Sequence, residues 1–210
     1  GGLHGVGISV VNALSEWMGV EVHRDGGIYI QEYARGKPKY PVRRVGDTSR
    51  TGTTVQFKPD SEIFETTEFD PDVIAERLQE IAFLNSGLQV TFRYGEDEPS
   101  VFSYQGLDEF VRYLNEGRSA LHDPIVISAR DGHVEVSAAI QYTSDYSSEI
   151  RSYANNINTR EGGTHLVGFR GAVSRAVRQF AEANKLLKEN MKLTVDDICE
   201  GLTAVVSVRL

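Results

Sequence analysis

The residues with the clearest chemical potential stand at the start of the sequence. Gly1-Gly2-Leu3-His4-Gly5-Val6-Gly7 places four glycines in seven positions. Ile8 to Leu14 then read as the first turns of a helix, with Val11, Leu14 and Met18 at helical spacing, which predicts a helix over residues 7–17. Glycines before a helix leave backbone N–H groups uncovered, and the helix N-terminus adds unpaired donors. That chemistry suits a phosphate. The loop lacks the Gly-Lys-Ser or Gly-Lys-Thr ending that supplies a phosphate lysine in sequence. No strand precedes it in this sequence, so it does not fit a dinucleotide fingerprint. His4 can donate to a phosphate or cap the loop. A domain rarely begins on such a loop, so the sequence is expected to be a piece of something larger.

Other candidates are thinner. The histidines at 4, 23, 122, 133 and 165 form no metal-binding spacing, and Cys199 is the only cysteine, so no metal ligand set and no intrachain disulfide are expected. Ser9 and Ser174 have no base beside them in sequence, and no catalytic residue is assigned. The basic group Arg35, Lys37, Lys39, Arg43 and Arg44 is broken by Pro38, Tyr40 and Pro41 and reads as a solvated face. Arg170, Arg175 and Arg178 lie on one predicted helix, where arginines hold DNA phosphates or simply face solvent.

The elements that must position these groups follow from pattern. Two strand-forming runs, 20–24 and 28–33, flank a glycine turn and predict a hairpin, with a third run over 41–45. In 51–57, Thr53, Val55 and Phe57 alternate on one face. Asp70-Pro71 starts a helix with Ile74, Leu78, Ile81 and Ala82 as its buried stripe. Strands are predicted near 88–93, 101–104, 125–129, 133–142 and 149–156, and a helix over 106–115. A long helix over 163–188 carries Leu166, Phe169, Val173, Ala176, Val177 and Phe180 as its apolar stripe. Thr194 and Asp197 form a capping pair for a short helix, and 202–210 is a strand lying beside a sheet. The 210 residues are 40% hydrophobic and 25% charged, with a formal net charge of -8. That balance opposes a surface that grips nucleic acid all over, and no apolar run is long enough to span a membrane.

Several stretches carry a resemblance. Residues 1–14, 51–57, 83–87, 153–170 and 201–209 resemble the DNA gyrase B family of type IIA topoisomerase ATPase subunits, and 153–165 (Tyr-Ala-Asn-Asn-Ile-Asn-Thr-Arg-Glu-Gly-Gly-Thr-His) is its longest signature. The resemblance spans essentially the whole sequence and includes the ATPase subunit of topoisomerase IV. It implies an α+β fold. Residues 1–118 would be the C-terminal part of a GHKL (Bergerat) ATPase domain starting at the ATP lid. Residues 119–210 would be a transducer domain like ribosomal protein S5 domain 2.

The resemblance also implies site residues. Gly2, Leu3, His4, Gly5, Val6 and Gly7 would wrap the ATP phosphates, and Thr53 would sit on the adenine-pocket floor. Arg24 would lie at the pocket rim where inhibitors stack, and Arg170 would line the cavity through which DNA passes. The family's glutamate base, magnesium-binding asparagine and adenine-reading aspartate precede the lid, and its Gln-Thr-Lys lysine follows the last transducer strand. None has a match in these residues, so the chain alone is expected to be inactive. Implied cofactors are ATP and Mg2+, the latter held by residues outside this sequence. Implied partners are the DNA gyrase A protein, double-stranded DNA and a second copy of the B protein within an A2B2 assembly, in the bacterial cytoplasm near the nucleoid and with no membrane. A mismatch-repair or chaperone-like ATP clamp, or a packing module without activity, are the alternatives.

Overall fold

The computed structural model describes residues 6–187 and 192–210. The chain divides into two compact units after Asp70.

The first unit is a helix on an antiparallel sheet. Helix α1 (Val6–Ala13) leads into β1 (Ser15–Arg24), followed by β2 (Gly27–Ala34), β3 (Lys37–Pro38), β4 (Arg43–Asp47) and β5 (Gly52–Pro59). The strand order is β3-β2-β1-β5, and β4 also pairs with β2. Two tight turns set this order. Asp25-Gly26 and Arg35-Gly36 each place two successive residues at positive φ, the geometry that joins twisted antiparallel strands.

The helix expected over 7–17 ends four residues early. Leu14 N donates to Val10 O and the Ser15 hydroxyl donates to Val11 O at 2.6 Å, closing the last turn. From Ser15 the backbone gains ladder partners on both sides, in β2 and β5. Met18 is therefore buried in a strand and not on a helix stripe. Tertiary pairing outweighs the local helical spacing here.

Asp60 locks the α1–β1 junction. Its backbone N–H donates to Leu14 O, and its carboxylate accepts from Glu62 N at 3.0 Å and from Arg35 Nε at 2.6 Å. Arg35 N donates to Ser15 O. The β5 end, the β2–β3 turn and the helix end are thus tied at one point.

The second unit contains α2 (Pro71–Leu84), the ribbon β6 (Gln89–Phe92) and β7 (Ser100–Ser103), α3 (Leu107–Leu114), β8 (Ile125–Asp131), β9 (Val134–Tyr142), β10 (Glu149–Ala154), β11 (Ile157–Asn158), α4 (Thr164–Ala183), α5 (Val195–Cys199) and β12 (Leu202–Arg209). Its five-stranded sheet runs β11-β10-β12-β9-β8. The last strand is the middle strand, not one lying at the side. It runs antiparallel to β9 and parallel to β10, and α4 and α5 supply the crossover that a parallel pair needs. Both its faces are covered, so Leu202 to Val208 are all buried.

The core of this unit forms where α2 and α3 meet the sheet. Phe83 stacks on Phe110 with ring centroids 4.5 Å apart, and both pack with Ala139, Tyr153 and Val205. This packing explains why the compact units part after Asp70. Residues of α2 and α3 bury their apolar side chains on the second sheet. The stripe expected on α2 is also shifted. Ala82 is buried, but Ile74, Leu78 and Ile81 are only half-buried, and Glu80 is buried with Phe83 and Leu84. Tyr153 donates to Glu80 at 3.0 Å and Arg77 at 2.7 Å, which compensates the buried carboxylate. Burial and that neighbouring carboxylate push the Tyr153 phenol upward.

Helix α4 is rotated from the expected stripe. Leu166, Phe169, Val173 and Val177 are half-buried, whereas Ala176 and Phe180 are exposed, and the fully buried positions are Ser174 and Ala181. The predicted cap of α5 is present in full: Thr194 and Asp197 make the reciprocal capping box.

Candidate nucleotide-facing site

The sheet register of the first unit brings separate sequence candidates together. Val22 pairs with Thr53, Val20 with Val55 and Met18 with Phe57. Directly paired residues share a face, and successive residues of that face are two apart. Thr53, Val55, Phe57 and Arg24 therefore project on one side of the sheet. Helix α1 packs at the Phe57 end of this side, where Val10, Val11, Leu14, Phe57, Phe64 and Phe69 line an apolar hollow of about 190 Å3. Thr53 and Arg24 occupy the opposite end. The result is a shelf with a helix at one end and polar groups at the other.

The shelf is open. Thr53 is exposed, Val55 is 39% exposed and Phe57 44%. Strand β5 pairs with β1 alone among the described residues, so one whole edge remains unpaired. Arg24 is exposed and its Nε meets Asp25 at 3.2 Å. Helix α1 carries no acidic residue in its first turn, so no side chain of that turn opposes an anion at its positive end. Gly2, Leu3, His4 and Gly5 lie outside the described residues. Val6 and Gly7 begin α1 and are exposed. A Cβ at Gly7 would meet nothing within 4 Å, so protein packing leaves room for a side chain there. Only a bound ligand would make that position sterically strict.

Glu16, on the strand after α1, is held by Lys58 Nζ at 2.6 Å. His23 is bridged between Glu21 at 2.8 Å and Thr48 at 3.2 Å. His165 contacts the Thr159 hydroxyl at 3.1 Å, and His122 accepts from Tyr142 N at 3.0 Å. These contacts make the three histidines bridging groups within the fold. No cluster of three metal-ligating side chains occurs among the described residues.

Arg170 is exposed on α4 in the second unit. It borders a cleft of about 290 Å3 with Tyr146, Ser148, Asp196, Asp197, Cys199 and Glu200. Three carboxylates line the same cleft, which sequence spacing on α4 did not reveal because they come from α5 and its end. Burial pushes the Cys199 thiol up, and the nearby Arg170 charge partly opposes that shift. The buried Glu80 cluster was also invisible in sequence. Its partners Arg151 and Tyr153 are more than seventy positions away.

Residues 106–210 match the DNA gyrase B family profile. The DNA gyrase B protein of Thermotoga maritima is 49% identical over 221 residues, covering 99% of this chain and 34% of that protein. The DNA topoisomerase 4 B protein of Staphylococcus epidermidis is 48% identical over 217 residues, covering 100% of this chain and 33% of that protein. The chain therefore spans about a third of the length of these curated relatives. Among solved structures, the 43K ATPase domain of Thermus thermophilus gyrase B, in complex with an aminocoumarin, superposes with a TM-score of 0.85 at 46% identity, covering 99% of this chain and 58% of that one. The topoisomerase IV ATP-binding domain of Francisella tularensis gives a TM-score of 0.80 at 25% identity, covering 100% of this chain and 59% of that one. With the family profile covering half of its residues and the mixed α/β architecture agreeing with gyrase B ATPase-domain structures, this chain belongs to the DNA gyrase B family.

Proposed function

We propose that this chain forms part of the ATP-operated B protein of a type IIA topoisomerase. In that protein, ATP binding and hydrolysis would be coupled to negative supercoiling of double-stranded DNA. The observation that carries the reading is the shared sheet face: Thr53 and Arg24 stand at one end of a shelf and the N-terminus of α1 opens onto the chain that precedes it. An adenine ring seated toward Thr53, with phosphates reaching the start of α1, matches the chemistry at each end.

Each residue has a distinct task in this reading. Thr53 offers a hydroxyl on the pocket floor, next to the flat apolar side of Val55. Arg24 stacks at the rim, where its exposed guanidinium, paired at Nε with Asp25, can present its flat face to a planar ring. Residues 2–7 surround the phosphates with backbone N–H groups, which neutralise charge as it develops on the transferred phosphoryl. Mg2+, when bound with ATP, would offset the negative charge of the phosphates. Asp60 and Arg35 act at a distance by fixing the junction from which α1 rises. Arg170 faces transported DNA, and the gyrase A protein and a second copy of the B protein complete the assembly. Glu16, the carboxylate that follows α1, is engaged by Lys58 and is not a free base. The chain alone should therefore release no phosphate from ATP.

The test uses the complete B protein together with the A protein. Gly5→Ala and Gly7→Ala should each lower nucleotide affinity while leaving the melting temperature unchanged, because Gly7 has room for a methyl group until a phosphate fills it. Arg170→Ala should reduce DNA-stimulated ATPase and supercoiling more than basal ATPase. Unchanged affinity in both glycine variants would remove the lid assignment. Equal loss of basal and stimulated rates in the arginine variant would remove the DNA role.

A further inference from the structure

The outer edge of the first unit's sheet carries a second basic feature, separate from the nucleotide shelf. Strand β2 pairs with β3 at Tyr33 and Ala34 and with β4 at Gly27 to Ile30. Both short strands lie along the same side of β2, and neither pairs with another strand on its outer side among the described residues. Residues scattered in sequence over a turn and two strands thereby become one row. Lys37 stands opposite Ala34, and Arg43 opposite Ile30. Arg50 follows β4 beyond Asp47, where its backbone N–H donates to Thr48 Oγ1 at 3.0 Å and Thr48 N donates to Gly26 O.

The charges on this edge fall into two groups. Arg35 is neutralised by Asp60 and Glu62, Lys39 by Glu32 at 3.1 Å, and Arg44 by Asp47. Lys37, Arg43 and Arg50 are exposed and have no carboxylate partner among the described residues. Every acidic side chain next to the row is thus already engaged, and three cations remain. Arg43 is not loose. Its guanidinium lies 4.1 Å above the Tyr40 ring, which orients it without cancelling its charge. Val42 and Val45, 60% and 54% exposed, leave the strand between these cations uncovered.

The spacing fits a polyanion. The β2 partners of Lys37 and Arg43, Ala34 and Ile30, lie four positions apart, roughly 13 Å of strand, or about four base-pair steps of duplex DNA. Oriented cations at such intervals hold phosphates and read no bases. We propose that this edge of the sheet binds the phosphate backbone of duplex DNA through Lys37, Arg43 and Arg50. The inference rests on the DNA-handling function proposed above and adds a contact surface in the first unit to Arg170 in the second. The competing role for such residues is to guard an exposed sheet edge against pairing with another chain.

The experiment is fluorescence anisotropy of a labelled mixed-sequence duplex of about 30 base pairs, titrated with the 210-residue chain from about 50 to 200 mM salt. The wild-type chain should bind with an affinity that falls steeply with salt. The Lys37→Ala, Arg43→Ala, Arg50→Ala triple variant should bind at least about tenfold more weakly at low salt, with the salt slope reduced by up to about 2.7, or 0.9 per lost phosphate contact. A Lys37→Arg, Arg43→Lys, Arg50→Lys variant should keep both the affinity and the slope. Arg170→Ala is measured beside them. Loss of binding in that variant with no change in the triple variant overturns the edge site and leaves the Arg170 role standing. No wild-type binding at low salt overturns the edge site. Unchanged DNA binding with new self-association in the triple variant also overturns it and assigns these cations to edge protection.

Discussion

Val205 and Val55 both sit in the middle of a strand, yet the first is fully buried and the second is 39% exposed. Val205 lies in β12, with sheet neighbours on both sides and α3 packed above. Val55 lies in β5, an edge strand whose two faces are open. The second unit spends its apolar residues on a deep core. The first leaves a broad sheet face uncovered, and the candidate nucleotide residues stand on that face. Substitutions should therefore separate: stability effects should concentrate in the second unit and nucleotide effects in the first.

The largest stability loss is expected at Phe110, which is fully buried between Phe83 and Tyr153. Phe110→Ala should destabilise the second unit by about 3–5 kcal/mol in urea unfolding. A loss below about 1 kcal/mol would mean that the α2–α3 layer contributes little to this core. Gly201→Ala comes next. Gly201 has φ +70, and an added Cβ would lie 2.6 Å from Thr143 O and 2.8 Å from Asp145 O. Strain of about 1–3 kcal/mol should appear as a lowered unfolding midpoint, and full tolerance would contradict this close approach. Thr53→Ala should change stability by less than about 0.5 kcal/mol, because the side chain is exposed, while nucleotide affinity in the complete B protein falls. A large melting shift there would make Thr53 a packing residue.

The last effect is fully present at neutral pH and fades only in acid. The N–H of Glu62 and the Arg35 guanidinium hold the Asp60 carboxyl below its usual range. A lowered folded pKa stabilises the native state above the unfolded value of about 3.9, and the contribution is lost as pH falls through the lower folded value. The stability gap between wild type and Asp60→Asn should therefore be constant above about pH 5 and shrink in acid. Hydrogen exchange at Leu14 and Ser15 would follow it, and a gap that widened in acid would reverse the assigned sign.

Much of this division was legible in the residues. Turns written in glycine and strands written in alternation located nearly every element, because those signals depend on neighbours in sequence. The capping pair Thr194 and Asp197 is an example. What stayed hidden depended on distant partners. Residues 14–18 look helical until β2 and β5 supply a ladder on both sides. Glu80 looks like a solvent-facing helix residue until Tyr153 and Arg151 arrive from β10. The glycine-rich loop was readable as a motif, but the shelf was not. Arg24 and Thr53 share a face only through the β1–β5 register, which no local pattern encodes.

The most direct test of the account is an amide NMR titration of the 210-residue chain with MgATP and, separately, with inorganic phosphate. The account predicts that MgATP shifts the amides of Gly7 and the first turn of α1 together with those of Thr53 and Val55, and that phosphate alone shifts only the α1 group. Resonances of β12 and α3 should stay in place. If MgATP shifts nothing, or shifts only residues 71–210, the nucleotide-facing shelf is not where this chain meets ATP.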